Sequence, residues 1–375
     1  MAVLSVYLPP FAPDYSGVCS SLFELNGLIV IHDASGCTGN YTGFDEPRWY
    51  GSQKMIYCSG LREMDAIMGN EDKFVERIKK AAEELHPDFL ALVGSPVPMV
   101  IGTDFEGFSK ELENVIGIPA FGFATNGTRY YNEGIFMAES ALIWRYARSI
   151  TPVKKRVNIL GATPLDFSQE NYRAMKETIQ EAGYEIGANF SMELDMNQLE
   201  QAASAEVNIA VSQGGIKTAK YMKEKYQIPY IAGLPVGLKG TNAFFAQLEA
   251  TLCGIQWHGG CTDFSPAQTL ILGDAVWGES IKRALWYDCG EKADVGAIFG
   301  PCEQYKDHIE LRDERAILEC INKKQYQRII ADPLILDQVE RDATEKIPLA
   351  HFAISSKFYM QHCHNIIGNA FCTFI

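Results

Sequence analysis

The 375-residue chain has no surplus of positive charge, no apolar run of membrane-spanning length and no closely spaced cysteine array. Its 33 Lys and Arg stand against 47 Asp and Glu, a formal net charge of −14. The isoelectric point is about 5.0. Nothing in that balance displaces phosphate counterions, so no nucleic-acid partner is expected. The longest apolar stretch, Leu90 to Thr103, is broken by Pro96 and Pro98 and falls short of the roughly 20 residues a spanning helix needs, so no membrane role is expected. The opening MAVLSVYLPPFAPDYSG has no basic leader, and Pro9, Pro10 and Pro13 interrupt it. It does not read as an export signal, which points to a cytoplasmic location. In that setting the ten cysteines are not a disulfide framework. Each is a buried small hydrophobe, a redox thiol or a metal ligand. The stretch Gly214-Gly215-Ile216-Lys217-Thr218 lacks the spacing of a phosphate-wrapping Walker loop, although the helix beginning there offers an N-terminus to an anion.

What is present is an alternation of short apolar runs and helix-like stretches. Gly27 to His32, Phe89 to Val93 and Pro119 to Phe123 read as strands. Between the first two, Phe74, Ile78, Ala81 and Leu85 fall on one face of a helix. A second set follows Arg156, with strands at Val157 to Leu160, Tyr184 to Ala188, Val207 to Val211 and from Tyr230. A third has strands at Leu270 to Gly273, Val295 to Phe299, Arg328 to Ala331 and Pro348 to Ile354. An Ile-Pro pair recurs before an apolar run at 118–119, 228–229 and 347–348, a separation of about one small domain. The expected fold class is α/β: three Rossmann-like domains, 1–150, 151–260 and 261–375, with mostly parallel sheets around a central cleft.

Cys37 closes His32-Asp33-Ala34-Ser35-Gly36-Cys37 directly after a strand, where a turn aims a thiolate outward and Gly36 permits close backbone approach. Cys19 precedes it and Cys58 follows, at separations of 18 and 21 residues. Soft thiolates are the donors that iron–sulfur clusters require, but this spacing is not a short ferredoxin-type run. The stretch from Ile31 to Cys37 resembles the His-Gly-x-x-Gly-Cys segment of nitrogenase component 1 proteins. SGLREMDAIMG (59–69), GSPVPMVIGTD (94–104), YMKEKYQIPYIAGLP (221–235) and IIADP (329–333) resemble further family segments, so the likeness runs through nearly the whole chain.

That resemblance implies an iron–sulfur cluster, expected as 4Fe-4S or as a larger cluster shared by two subunits. Cys19 and Cys37 fall on two of the family's cysteine positions, and the third falls on Ser95, whose oxygen is a harder donor. Cys58, beside the Glu63/Asp65 region, is the candidate replacement. The resemblance also implies a homodimer or paired subunit, a separate ATP-dependent iron protein as electron donor, and a small-molecule or metallocofactor substrate. Where the family anchors its catalytic cofactor with a domain-two cysteine, this chain reads Ala210-Val211-Ser212-Gln213-Gly214, which argues against dinitrogen reduction. His258, Asp33, Arg48 and Glu63 are the candidate catalytic groups, each also readable as structural. Cys253, His258 and Cys261 have zinc-like spacing, completed only if Cys289 or Cys302 approaches; the alternative is a glycine-rich loop with ordinary thiols. The leading function is a component 1-like oxidoreductase subunit. Metallocluster assembly scaffold and metal-free small-ligand binding protein are the alternatives.

Overall fold

The computed structural model describes residues 5–69, 71–148, 150–255, 257, 266–323 and 326–375. Among them lie three wholly parallel sheets in succession along the chain. The first holds β1 (Gly27–Ile31), β2 (Ile56–Cys58), β3 (Phe89–Val93) and β4 (Ala120–Phe123) in the order β2-β1-β3-β4. The second repeats that order with β5 (Val153–Leu160), β6 (Glu185–Asn189), β7 (Ala205–Ala210) and β8 (Tyr230–Ala232), as β6-β5-β7-β8. The third holds β9 (Thr269–Gly273), β10 (Ala293–Ala297), β11 (Ile309–Glu310), β12 (Arg328–Ala331) and β13 (Glu345–Pro348), ordered β11-β10-β9-β12-β13.

In every sheet the first strand in sequence is internal and the later strands add on both sides of it. The crevice past its carboxyl end is therefore a topological switch point, where α/β proteins seat ligands. β1, β3 and β9 are buried along their whole length, as strands covered by helices on both faces must be. These are the unbroken apolar runs visible in the sequence.

The helix Tyr131–Tyr146 fastens the first unit to the second. It lies so close to the helix Asp14–Leu22 that a Cβ on Gly134 would sit 1.8 Å from the Asp14 carbonyl oxygen, which only glycine tolerates. Farther along it, the buried Glu139 carboxyl accepts the Gly161 N–H at 2.9 Å and the Ser191 hydroxyl at 3.1 Å, both from the second unit.

Two sequence expectations change. The last apolar stretch is not a strand from Pro348: β13 ends at Pro348, and Phe352–Ser355 is a short helix capped by His351. Once the chain passes the sheet end, the imidazole accepts the Ala353 N–H and turns the backbone into a helix. For the same reason the three Ile-Pro pairs are not equivalent. The first two precede β4 and β8, whereas the third closes β13, although all three sit on edge strands. There a missing N–H costs the ladder least.

Burial holds the Glu139 carboxyl neutral up to about pH 7, against an ordinary value of 4.5, with the Thr218, Gly161 and Ser191 contacts opposing that shift. The folded chain thus keeps a proton that the unfolded chain releases. This contribution to stability is complete below about pH 4.5 and is lost as pH rises through about 7, worth roughly 3 kcal/mol in total. Glu139→Gln should fold and should flatten the decline in urea midpoint between about pH 5 and about pH 8. An unchanged slope would mean that Glu139 is ionised throughout.

Candidate functional site

The sequence-predicted ligands sit at the carboxyl end of the first sheet. Cys58 is the last residue of β2, directly beside Ile31 of β1 in the ladder. Asp33 follows β1 and lies between two thiols. The Cys58 thiol donates to the Asp33 carbonyl at 3.2 Å, and the Cys37 thiol is within hydrogen-bonding reach of the Asp33 side chain. The Gly60 N–H donates to Cys58 Sγ at 3.3 Å, the kind of contact that tunes a sulfur ligand. Cys37, in the first turn of the helix Gly36–Asn40, also contacts Tyr15 and Ser95; burial, then the Asp33 charge, push its thiol up. A Cβ on Gly36, Gly39 or Gly60 would meet nothing within 4 Å, so this edge is open.

Cys19 lies a layer deeper, on the helix Asp14–Leu22, without exposed surface. Burial, with Glu46 adding, holds its thiol well above the usual value. Ser95 is also buried, and its hydroxyl is spent on the His32 carbonyl at 2.8 Å. Among the described residues no group of three or more His, Cys, Asp or Glu is spaced to hold a metal ion within one chain. Cys37 and Cys58 are two thiolate donors at one open edge, chemically suited to iron–sulfur ligation.

The candidate catalytic groups are dispersed. Asp33 belongs to the cysteine edge. Glu63 is exposed in the first turn of the helix Glu63–Met68. Arg48 is locked in place: it bonds Glu46 at 2.7 Å and Glu24 at 2.9 Å, donates to the Ser20 and Ser191 carbonyls, and stacks over Phe23. His258 and Cys261 lie outside the described residues, and Cys253 is exposed at the end of the helix Leu238–Leu252.

A second concavity, about 390 Å³, lies between the second and third sheets. It is built from the loops after β5, β9 and β13, with Arg48 at its rim. Asp166 accepts the Tyr131 hydroxyl at 2.5 Å and the Thr163 hydroxyl at 3.2 Å, and lies 3.4 Å from His351 Nε2. Asp274 accepts the main-chain N–H groups of Val276, Trp277 and Gln213, and burial pushes its carboxyl up to about 7. Sequence reading missed Asp166, Asp274, Trp277 and His351, which stand far apart in the chain. The available signal was positional: Asp33, Asp166 and Asp274 each follow the first strand of a sheet.

The model of the nitrogenase component 1 type oxidoreductases matches residues 16–258. The chain belongs to that family. It is 24% identical over 235 residues to the nitrogenase molybdenum-iron protein alpha chain of Methanosarcina barkeri, covering 58% of this chain and 43% of that one. It is 23% identical over 361 residues to a subunit of the light-independent protochlorophyllide reductase of Adiantum capillus-veneris, covering 78% and 65%. Its matches thus span only about half to two thirds of those relatives' lengths. Among solved structures it is similar to nitrogenase Cp1 at pH 5, with a TM-score of 0.65 at 14% identity, over 94% of this chain and 85% of that one. At that identity the likeness bears on fold alone. It agrees with three parallel-sheet units around a cleft.

Within this fold Arg48 is a strut. Glu46 carries no exposed side-chain surface, so removing its guanidinium partner strands a buried carboxylate. Arg48→Met should lower unfolding free energy by roughly 3 kcal/mol in urea titrations. Arg48→Lys should fall between, because an ammonium lacks the planar fork. A loss below about 1 kcal/mol for Arg48→Met would assign Arg48 a surface pair's role instead.

Proposed function

We propose that the chain is the electron-accepting oxidoreductase subunit of a component 1-type system. In this reading Cys37 and Cys58, with Cys19 as the deeper third thiol, hold a 4Fe-4S cluster or a larger cluster shared across a homodimer. Cys58 stands in for the sulfur that Ser95 lacks. The observation that carries the reading is the pairing of two partly exposed thiols around Asp33 at adjoining strand ends. When bound, the cluster supplies one-electron transfer at low potential. The chain's own residues do the rest: Gly60 N–H orients the Cys58 sulfur, and the open glycines admit a second surface. The reacting small molecule or metallocofactor sits in the central cleft.

A face suited to the second copy flanks the same edge. Tyr57 on β2, Met64, Ile67 and Met68 on the helix Glu63–Met68, and Val100 on the helix Pro96–Val100 are 47–86% exposed. Electrons then come from a separate ATP-hydrolysing iron protein. The nitrogenase and protochlorophyllide reductase activities remain those of the relatives. The assembly-scaffold reading draws on a 21% identity over 260 residues to a nitrogenase iron-molybdenum cofactor biosynthesis protein of Methanosarcina barkeri. It differs in one measurable respect: a scaffold hands its cluster on, whereas an electron acceptor keeps it through reduction and reoxidation.

Anaerobically purified protein should hold about two or more irons per chain with matching labile sulfide and thiolate-to-iron absorption. Cys37→Ala and Cys58→Ala should each lose most of it, at unchanged thermal midpoint in the iron-free state. Wild-type iron below about one per chain after reconstitution would sink the reading. A normal cluster in Cys58→Ala would remove Cys58 from the ligand set.

A further inference from the structure

One exposed strap reaches from the third unit to the first: the 3₁₀ helix Ser356–His362, none of whose residues is buried. Both of its ends are fixed to the body of the protein. Before it, the short helix Phe352–Ser355 is buried throughout, and the Ser355 hydroxyl donates to Asp332 at 2.7 Å. After it, the His362 carbonyl accepts the Ala350 N–H at 3.0 Å, and the His364 carbonyl accepts from the Asn171 amide at 2.9 Å. The Ala350–His362 bond closes the base of a compact surface loop. Ser356, where the strap begins, has a φ of +53°, a conformation that side chains other than hydrogen disfavour.

Little holds the strap down. The Ser356 hydroxyl donates to the Phe44 carbonyl, and Lys357 Nζ donates to the Gly43 carbonyl at 3.0 Å. Both carbonyls lie near the end of the π-helix Tyr41–Asp45, where intrahelical partners run out. The Lys357 ammonium also lies 5.1 Å from the Phe44 ring centre and 5.6 Å from that of Tyr50. Phe44 and Phe358 meet with ring centres 6.3 Å apart. Phe44, Tyr50 and Phe358 are all exposed, so the contact buries little apolar surface. A segment tied by a few exposed hydrogen bonds and few buried side chains opens locally, without the rest of the fold. The gripped turn continues directly from the helix Gly36–Asn40 that carries Cys37.

The strap also edges the 390 Å³ cavity between the second and third sheets. Met360 lies in its wall, as do Cys363 and His364 just beyond the strap, and Pro47 and Arg48 just beyond the gripped turn. Of the described residues that line the cavity, only Gln169, Glu170 and Met360 are exposed. The mouth therefore lies between the strap and the start of the helix Gln169–Glu181. We propose that the strap is the gate of this cavity: it is shut while Ser356 and Lys357 hold the Phe44 and Gly43 carbonyls, and it opens by releasing them with both of its ends still fixed. Opening carries Met360 away from the mouth and uncovers Cys363, whose half-buried thiol lies 3.9 Å from the Ala350 carbonyl oxygen. The gate works whether or not a metal centre is bound at the cysteine edge.

Labelling of the full chain with N-ethylmaleimide at pH 8.5, read at each cysteine by peptide mass spectrometry, measures the opening. Burial, with Asp332 adding, pushes the Cys363 thiol up to about 11, so its reaction is slow and its rate follows the fraction of time that it is uncovered. Ser356→Ala and Lys357→Met each remove one donor of the grip. Each should speed Cys363 labelling about two- to tenfold, and the double variant by about the product of the two. Cys320, buried in the core of the third unit, reports unfolding of that unit, and the exposed Cys289 reports the activity of the reagent. Both should keep their wild-type rates. Unchanged Cys363 labelling in the double variant overturns the gate, and so does acceleration at Cys363 that is matched at Cys320. The measurement reads neither iron nor turnover, so its outcome is independent of the electron-acceptor reading.

Discussion

The Asp274 carboxylate has no exposed surface and gives both oxygens to main-chain N–H groups of two different units. One oxygen caps the helix Ala275–Ala284 of the third unit, and the other takes the first N–H of the helix Gln213–Tyr226 in the second. A single side chain thereby joins the second unit to the third. The adjacent Gln213 amide extends the seam, donating to the carbonyls of Gly300 and Pro301. Trp277, whose main-chain N–H is taken by this carboxylate, and Gly273, one residue before it, are both cavity walls, so the cavity's shape follows from the cap. Neutral as well as ionised carboxyl accepts hydrogen bonds, which is why burial can push its pKa up to about 7 without dissolving the joint.

The same device recurs. Asp14 takes the N–H groups of Asn126 and Gly127, Glu139 that of Gly161, and Asp332 that of His351. Glu139 joins a helix to a strand end of another unit, Asp14 reinforces the Pro13–Tyr130 bridge, and Asp332 ties together the ends of the paired strands β12 and β13. Burial raises the pKa of each above its ordinary value. A few of the chain's 47 acidic residues thus serve as interior mortar, while most of the remainder carry the negative field at its surface.

Much of the fold was legible because both faces of its central strands are covered. Phe89–Val93 and Arg328–Ala331 appear in the sequence as the apolar runs that they are in space. The stretch after Pro348 misled for the same reason: LAHFAIS is apolar, but its burial comes from packing beneath the sheet end, and His351 caps a helix there. At the cysteine edge, Cys37 was singled out by the strand before it, whereas Cys58 reads in sequence as loop because the β2 that carries it is only three residues long. Their meeting at Asp33 was not legible, since it depends on β1 and β2 lying side by side. The cavity was the least legible part. Asp166, Trp277 and His351 come from three loops, and Trp277 reads locally as an ordinary core aromatic.

The Ile-Pro pairs have a consequence for how three open sheets coexist with their own unfolded and neighbouring copies. β4, β8 and β13 are edge strands of four, three and four residues, and each has a proline at its beginning or end. On the opposite edges, β2 has three residues and β11 two, while β6 lies beside an irregularity in its pairing with β5. Among the described residues no sheet edge offers an incoming strand a long, regular row of free N–H and C=O groups. Adhesion between copies is thereby denied to the sheets and left to side chains, which makes any assembly of this protein a matter of surface chemistry that selection can tune residue by residue.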